Sequence, residues 1–454
     1  MRDHGRAVTR RPVWMGLVGT SSAWLVVIGL VAGYFALLIA LGGHSGWREL
    51  GVPPVSPGFF DLRSVTSGWE CARQHLGEWP ENPCDPWGRP ENYPRIWIAA
   101  SVLGLGQDDT YFIGTLIVVG FFAAAIVVLP RSAPIGDALV YALALCSPAV
   151  MLGVERGNVD LALFGIVTVA GLVMRRMPRG PAVASALILL AAILKLFPIA
   201  AVGMLTGLPR RAAVLCTTSV VGLFTVYAAA TFRDIQTIDR VLPQDDEYAY
   251  GLHIVGGWLG RLAGSGRVWD AALVALTAVA ALAFRRSLAS RLAMRPSREL
   301  DFFCAGAGIY VATFALVRSA DYRLVFLLLA IPQLVRWAAA GRGFALATLL
   351  AIVITLWFPT EWGWTNVPVL DDVIREWSDA VVAGGVALPL AAPAQLVAFI
   401  GLACLLAAVV QGNWDREPVD IPATAAWGAA APTGATATPV GDGSTPAVQF
   451  KAGS

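Results

Sequence analysis

Residues 181–207 read PAVASALILLAAILKLFPIAAVGMLTG, two apolar runs that are separated by a single cation, Lys195. Each run is too short to cross the roughly 30 Å of hydrocarbon in a bilayer. Together they fit the two halves of a helical hairpin that turns at Lys195-Leu196-Phe197-Pro198. Broken helices at membrane depth are tolerated where they line a cavity within a protein. The stretch therefore predicts a helical membrane bundle that contains an interrupted hairpin.

The composition of the whole chain favours the same class of protein. Of its 454 residues, 57% are hydrophobic and 14% are charged, whereas soluble domains carry about 25% charged residues. The mean hydropathy is +0.65. The sequence shows no basic stripe interleaved with aromatic residues, so nucleic acid is not an expected partner. These properties exclude a soluble enzyme and a protein with a single anchor.

Twelve apolar segments are interpreted as an all-α polytopic bundle over residues 14–411. The first segment follows a basic arm, 1–13, and is interpreted as a retained helix because it is long and lacks a small-residue cleavage site. The segments lie at 14–41, 110–129, 137–152, 159–174, 181–194, 196–207, 212–231, 269–284, 302–317, 322–335, 343–358 and 394–411.

The distribution of Lys and Arg predicts the orientation of this bundle. With the N-terminus inside, the short inner segments hold 17 Lys and Arg in about 55 residues, and the outer segments hold 14 in about 138. Cytoplasmic loops carry this excess, so both termini are expected to be cytoplasmic, in a bacterial plasma membrane if the Ala-, Gly- and Arg-rich composition reflects a GC-rich genome. Three long extracytoplasmic loops follow, at 43–95, 232–268 and 359–393.

Two segments near the C-terminus have distinct patterns. Apolar residues between 370 and 381 recur at helical spacing, which predicts an amphipathic helix on the membrane surface, or a helix packed on other loops. The tail 412–454 is rich in Ala, Thr, Pro and Gly without periodicity and is predicted to be disordered.

Polar groups at the predicted outer ends of the helices are the candidates for function, because charge at membrane depth is costly. Lys195 is the only lysine before residue 450; a structural lysine that reaches the interface is the alternative. Asp160 also suits the N-terminus of a helix, and Arg63, Arg89 and Arg95 also fit solvated loop charges. The candidates are Asp61, Arg63, Asn92, Tyr93, Arg95, Arg156, Asn158, Asp160, Lys195, Arg318, Tyr322 and Arg323.

The cysteines bear on the compartment of the first long loop. Four of the six lie in apolar segments, where thiols pack as small hydrophobic groups. Cys71 and Cys84 share the polar loop and are predicted to form a disulfide if it faces an oxidising compartment; two free thiols or a zinc pair are the alternatives. The acidic run 245–247 fits a solvated loop better than a metal site, so neither a metal nor a cofactor is expected.

At these residues the chain resembles the polytopic glycosyltransferases of the GT-C class, especially glycosyltransferase family 87. The resemblance spans about 20–411, whereas segment 69–95 departs from the family pattern, which leaves the sugar and acceptor open. Its motifs are Phe60-Asp61-Leu62, Arg156-Gly157-Asn158-Val159-Asp160-Leu161, Leu194-Lys195-Leu196-Phe197-Pro198 and Asp321-Tyr322-Arg323-Leu324.

The resemblance implies transfer of a sugar, mannose first among the candidates, from a polyprenyl-phosphate-sugar donor on the extracytoplasmic face. The implied acceptor is a membrane-associated glycolipid or glycan. In relatives the acid of the first outer loop is the general base, a role that falls here on Asp61. One base without a covalent intermediate implies inversion of configuration.

Residue types then suggest the remaining roles. A lipid-phosphate leaving group develops negative charge that Arg and Lys bind well. Pentose (arabinofuranose) transfer, a lipid or solute transporter or flippase, and a non-catalytic assembly factor are the alternatives; a transporter would place its ionisable groups near mid-membrane. The predicted donor-phosphate ligands are Lys195, Arg156, Arg318 and Arg323, and the predicted substrate ligands are Arg63, Asn92, Tyr93, Arg95, Asn158, Asp160 and Tyr322.

Overall fold

A computed structural model describes residues 22–77, 79–242, 249–263, 265–292, 294–316, 319–358 and 391–415. Several predictions fall outside these ranges: the basic arm 1–13, Arg318, the helix expected at 370–381, and the tail from residue 416 onward.

Helices make up nearly all of the described secondary structure. The α-helices are α1 (Ser22–Ala40), α2 (His44–Glu49), α3 (Phe60–Gln74), α4 (Thr110–Val128), α5 (Ile135–Leu145), α6 (Pro148–Arg156), α7 (Asp160–Met174), α8 (Gly180–Leu194), α9 (Arg210–Ala230), α10 (Phe232–Val241), α11 (Leu252–Ala263), α12 (Gly266–Arg291), α13 (Arg298–Leu316), α14 (Ile331–Ala339), α15 (Gly343–Trp357) and α16 (Ala391–Trp414). The 3-10 helices span Arg95–Leu103, Gln107–Asp109, Phe197–Gly207 and Asp321–Leu329, and the strands are β1 (Ala249–Tyr250) and β2 (Ser319–Ala320).

As far as the structure describes them, the twelve predicted segments are each occupied by a helix or by a bent pair of helices. Within the described ranges, six helices are long and apolar enough to cross a membrane, and the number is eight if each bent pair is one span. Four further apolar helices are shorter: α7, α8, α15 and the 3-10 helix Phe197–Gly207. A mostly helical architecture is therefore confirmed, whereas a count of twelve spans stays a prediction.

Two segments that the hydropathy pattern predicted as continuous are bent. The α5–α6 pair bends by 52°, and the 3-10 helix Asp321–Leu329 meets α14 at 54°. Pro148 and Pro332 lie in the first turn after each bend. Proline disfavours helical conformation in the residue before it and is tolerated in a first turn, which explains why each helix restarts there.

Helix α13 forms the centre of the bundle. It is buried over most of its length and packs against α16, the 3-10 helix Phe197–Gly207 and the 3-10 helix Asp321–Leu329. Two glycines permit the close approach, because a Cβ on Gly306 would lie 2.6 Å from the Phe326 carbonyl oxygen and one on Gly308 would lie 2.5 Å from that of Ala200. Small residues at such crossings are typical of membrane helices.

The loop 43–95, which was predicted to be extracytoplasmic, is itself folded, and hydropathy did not predict this. Leu62, Val65 and Trp69 of α3 form a second small core with Tyr93 and Val159. Their spacing along α3 is that of one helical face, so the signal was present in the sequence. A disulfide joins Cys71 and Cys84 across this loop, with the two Cα atoms 5.6 Å apart.

Two tryptophans connect this folded loop to the interrupted hairpin. The indole N–H of Trp69 donates to the carbonyl oxygen of Trp97 at 2.7 Å. The indole N–H of Trp97 donates in turn to the carbonyl oxygen of Leu194 at 2.9 Å. Leu194 ends α8, so these bonds fix the backbone immediately before Lys195.

Candidate active site

Asp61 lies in the first turn of α3, where its side chain is half-buried. The Asn158 amide Nδ2 donates to Asp61 Oδ2 at 2.6 Å. Asn158 Oδ1 accepts from the backbone N–H of Asp160 at 2.9 Å, which fixes the amide to the start of α7. An amide donor orients a carboxylate without neutralising its charge, an arrangement that suits a proton acceptor.

A glycine permits the approach of α3 to Asn158. Gly157 has a φ of +58°, in the left-handed region that favours glycine after a helix. A Cβ at this position would lie 2.8 Å from the Phe59 ring. The Phe59 N–H also donates to the Glu155 carbonyl oxygen at 3.2 Å. The start of α3 is therefore packed onto the end of α6.

A buried ion cluster lies on the other side of Asn158. Lys195 Nζ donates to Asp160 Oδ1 at 2.7 Å, and Arg323 Nε lies 3.8 Å from Asp160 Oδ2. The Asp160 side chain is fully buried, while those of Lys195 and Arg323 are 13% and 10% exposed. We call these three residues the cation cluster. Because it contains two cations and one anion, it retains positive charge for an anionic ligand.

Aromatic rings surround the two cations. Lys195 Nζ lies 5.1 Å from the Tyr93 ring centroid and 5.6 Å from that of Tyr322, and Arg323 Cζ lies 5.0 Å from that of Phe197. These distances are in the range of cation–π attraction. Burial raises the pKa of the Tyr93 hydroxyl well above its usual range, and the nearby negative charge of Asp61 adds to the effect. Tyr93 is thus a neutral wall of the site.

Glu91 is a buried acid that the sequence reading missed. It is 3% exposed, and its Oε1 accepts from the Tyr93 N–H at 3.3 Å. Its carboxyl packs against Gly68 of α3, where a Cβ would collide with it. Burial raises the pKa of Glu91 to about 8, and the negative charge of Asp85 also raises it. The only sequence signal was its place two residues before Tyr93.

A second group of side chains surrounds Phe60, the residue that precedes Asp61 in α3. Arg89 Cζ lies 3.7 Å from the Phe60 ring centroid and 4.8 Å from that of Trp87, and Arg156 Cζ lies 4.9 Å from Phe60. Phe60 and Trp87 meet edge to face at 4.6 Å. We call Phe60, Trp87, Arg89 and Arg156 the Phe60 cluster.

The structure separates the predicted site residues into distinct groups. Arg156 joins the Phe60 cluster, where its Nε lies 3.3 Å from Glu155 Oε2. The Arg63 side chain donates to the Gly58 carbonyl oxygen at 3.0 Å and lies 5.0 Å from the Tyr111 ring. Asn92 is half-buried beside Tyr93. The residues that lie around Asp61 and the cation cluster are Tyr93, Asn158, Asp160, Lys195, Tyr322 and Arg323.

Arg95 lies at a cavity of about 300 Å³ rather than in either cluster. Its Nη2 pairs with Asp234 Oδ1 at 3.2 Å. One wall is formed by Leu196, the residue after Lys195, so this lateral cavity adjoins the turn of the hairpin. The cavity is lined by Pro94, Arg95, Ile96, Leu196, Tyr227, Thr231, Asp234, Ile235 and Ile238.

Within the described ranges, no group of three or more His, Cys, Asp and Glu side chains is placed to hold a metal ion. The acidic run 245–247 lies outside those ranges.

The apolar helices and the polar site at their ends define the chain as a multi-pass α-helical membrane protein. No protein-family model and no curated protein matches it. Among solved structures it is similar to the crystal structure of ArnT from Cupriavidus metallidurans in the apo state, with 15% sequence identity and a TM-score of 0.36. The match covers 85% of this chain and 77% of that chain.

Proposed function

We propose that the chain is a membrane glycosyltransferase that moves a sugar from a polyprenyl-phosphate-sugar donor to a membrane-associated glycolipid or glycan on the extracytoplasmic face. The observation that carries the proposal is the position of Asp61 beside the cation cluster, with Asn158 between them. Sugar transfer from a lipid phosphate requires a proton acceptor and an adjacent anion site. The site offers both.

In this reaction Asp61 takes the proton of the acceptor hydroxyl. The hydroxyl oxygen forms a bond to the anomeric carbon, and the bond between that carbon and the phosphate oxygen breaks. The electron pair of the broken bond leaves with the polyprenyl phosphate, which gains one negative charge. Lys195 and Arg323 stabilise that charge. Attack from the face opposite the leaving group inverts the anomeric configuration.

The buried geometry refines two of the roles expected from the sequence. Asp160 is fully buried, so we assign it to positioning Lys195 and Arg323 rather than to contact with substrate. Arg156 lies in the Phe60 cluster beside Glu155, so we assign it to the acceptor side of Asp61 rather than to the donor phosphate.

The lateral cavity suits the lipid part of the donor. Ile96, Leu196, Ile235 and Ile238 give it apolar walls beside the turn that carries Lys195. Apolar surface removed from water contributes roughly 25 cal/mol per Å², so a prenyl chain in this position would hold its phosphate next to the cations. Mannose is the first candidate sugar from the family resemblance, and arabinofuranose is the second.

The position of the ionised groups favours a transferase over a transporter or flippase. Asp160 begins α7, Lys195 follows the last residue of α8, and Arg323 lies in the first turn of a 3-10 helix. All three are at helix ends that meet the folded loop, because Asn158 binds Asp61 of α3 and Lys195 Nζ lies 5.1 Å from the Tyr93 ring. Transporters place such groups near the middle of the membrane, in discontinuous helices.

The test uses membranes that contain the protein and a radiolabelled polyprenyl-phosphate sugar. Asp61→Asn preserves the size of the side chain and its contact with Asn158 but removes the proton acceptor, so transfer is expected to fall by about 100-fold or more. Asp108→Asn is the matched control, because Asp108 is an exposed acid in the 3-10 helix Gln107–Asp109, between the first long loop and α4. Wild-type turnover in Asp61→Asn membranes would remove Asp61 from the catalytic role, and lipid translocation without sugar transfer would favour a flippase.

A further inference from the structure

Trp87 is presented on a turn that the structure holds firmly. The disulfide between Cys71 and Cys84 ties the start of this turn to α3. Asp85 Oδ1 then accepts from the backbone N–H groups of Trp87 at 2.9 Å and Arg89 at 3.2 Å. An aspartate that binds the N–H two residues later is a common device for fixing a turn.

Although its backbone is fixed, the Trp87 side chain is 37% exposed. One part of the indole meets Phe60 edge to face, and the Arg89 guanidinium covers another part. The remainder of the Trp87 ring is open to solvent. The same turn places the Arg89 guanidinium over the Phe60 ring. Phe60 directly precedes Asp61 on α3, and the Glu155 carboxyl, which pairs with Arg156 beside the Phe60 ring, is close enough to Asp61 to feel its charge. The open aromatic surface therefore belongs to the surroundings of the proposed proton acceptor. The apolar C–H face of a sugar ring packs well on such a surface.

Charge distinguishes the Phe60 cluster from the cation cluster. Arg89 donates to Asp85 through Nη2 at 2.8 Å and through Nε at 3.2 Å. The Arg156 guanidinium lies 3.3 Å from Glu155. Each guanidinium is thus matched by a carboxylate, so the cluster offers little net attraction for a phosphate or an acidic sugar. Arg89 also donates through Nη2 to the Phe60 carbonyl oxygen at 2.9 Å. Of its five N–H donors, those on Nη1 are left to bind neutral hydroxyl groups.

We propose that the Phe60 cluster is the acceptor subsite and that it takes an uncharged sugar unit at the end of the acceptor glycan, with one face of that sugar on Trp87. The inference rests on the proposed function, since Asp61 must face the hydroxyl that this sugar presents. Tryptophan also anchors proteins at membrane interfaces. An anchor would not need a turn tied by a disulfide beside the catalytic carboxylate.

The test measures transfer to, and binding of, an octyl α-mannosyl trisaccharide and a matched probe that ends in glucuronic acid. Trp87→Ala is expected to raise the KM for the mannosyl probe about tenfold, with a smaller effect on the donor KM, because a lost ring contact of this kind is worth about 1.4 kcal/mol. Trp87→Phe keeps an aromatic ring and is expected to restore most of the affinity.

The matched control is Trp414→Ala, because Trp414 is also an exposed indole, 50% accessible, with an arginine stacked on it: Arg210 Cζ lies 3.9 Å from its ring. This variant is expected to leave the acceptor KM unchanged. An equal rise in acceptor KM for Trp414→Ala and Trp87→Ala would overturn the subsite and leave membrane anchoring as the role of both residues.

Measuring binding beside transfer separates failure of the subsite from failure of the proposed function. Trp87-dependent binding of the mannosyl probe by a wild-type protein that transfers no sugar would keep the subsite and reject the transferase, whereas binding without transfer is the expected behaviour of Asp61→Asn. Transfer by a Trp87→Ala variant with wild-type acceptor KM would reject the subsite alone. Failure of the Asp61→Asn protein to bind the mannosyl probe, or tighter binding of the glucuronic acid probe, would overturn the subsite as a site for neutral sugar.

Discussion

The carboxylate of Asp160 is the most informative position to perturb, because it is buried and pairs with both Lys195 and Arg323 in the cation cluster. Asp160→Asn keeps the size of the side chain and removes its charge. Two buried cations would then face each other across a neutral amide. The change therefore measures what the carboxylate contributes to holding the cluster together.

The expected loss of stability in Asp160→Asn follows from the burial of the ion pairs that Asp160 forms. Removing one partner of a buried ion pair destabilises a protein by about 3–5 kcal/mol, because the remaining charge stays out of water. For a chain of this length the unfolding entropy is large, and each kcal/mol shifts the melting temperature by roughly 1 °C. Asp160→Asn is thus expected to lower the melting temperature by about 3–5 °C. An added polyprenyl phosphate should restore part of this loss by supplying a new anion.

The assay is thermal unfolding of the purified protein in one detergent, with and without farnesyl phosphate. Asp234→Asn is the matched control, because Asp234 also pairs with an arginine, Arg95, whose side chain is 59% exposed. Exposed pairs contribute about 0–1 kcal/mol. If Asp160→Asn melts no lower than Asp234→Asn, or if farnesyl phosphate stabilises it no more than the wild type, the reasoning about the cation cluster is wrong.

Two further predictions concern the folded loop 43–95. Because the pKa of Glu91 rises from about 4.5 to about 8 on folding, its contribution to stability is complete below pH 4.5 and falls as the pH rises to 8, by on the order of 5 kcal/mol. The melting temperature of Glu91→Gln relative to wild type should therefore increase between pH 5 and pH 8.5; a constant difference would contradict this. Replacing Cys71 and Cys84 by alanine should lower the free energy of unfolding by about 3 kcal/mol. In intact cells the wild-type cysteines should react with thiol reagents only after reduction. Labelling without reductant would place the loop in a reducing compartment.

Hydropathy was sufficient to predict where the apolar helices lie, because an apolar run in a membrane must satisfy its own backbone hydrogen bonds. It was insufficient to show that two segments bend, although Pro148 and Pro332 marked the places. Helix α3 was missed because the loop around it is polar on average, and only the spacing of Leu62, Val65 and Trp69 indicated a buried face.

The sequence was enough to predict several residues of the site but not how their side chains are arranged in space. Lys195 was conspicuous because an isolated cation between apolar runs is costly. Its pairing with Asp160 brings together residues that are 35 positions apart, which only the packing of α7 and α8 decides. Arg156 and Asn158 are separated by Gly157 in a left-handed conformation, so neighbouring side chains enter different clusters. No sequence pattern predicts the directions in which the Arg156 and Asn158 side chains point.

The order in which the ribosome delivers the cation cluster has a consequence for biogenesis. Asp160 is synthesised 35 residues before Lys195, and Arg323 follows only after several more helices have emerged. Until Lys195 emerges, the carboxylate at the start of α7 lacks its partner in the cation cluster, and water must solvate it. We therefore expect α7 to reach its buried position only after α8 and the turn that carries Lys195 have been translated.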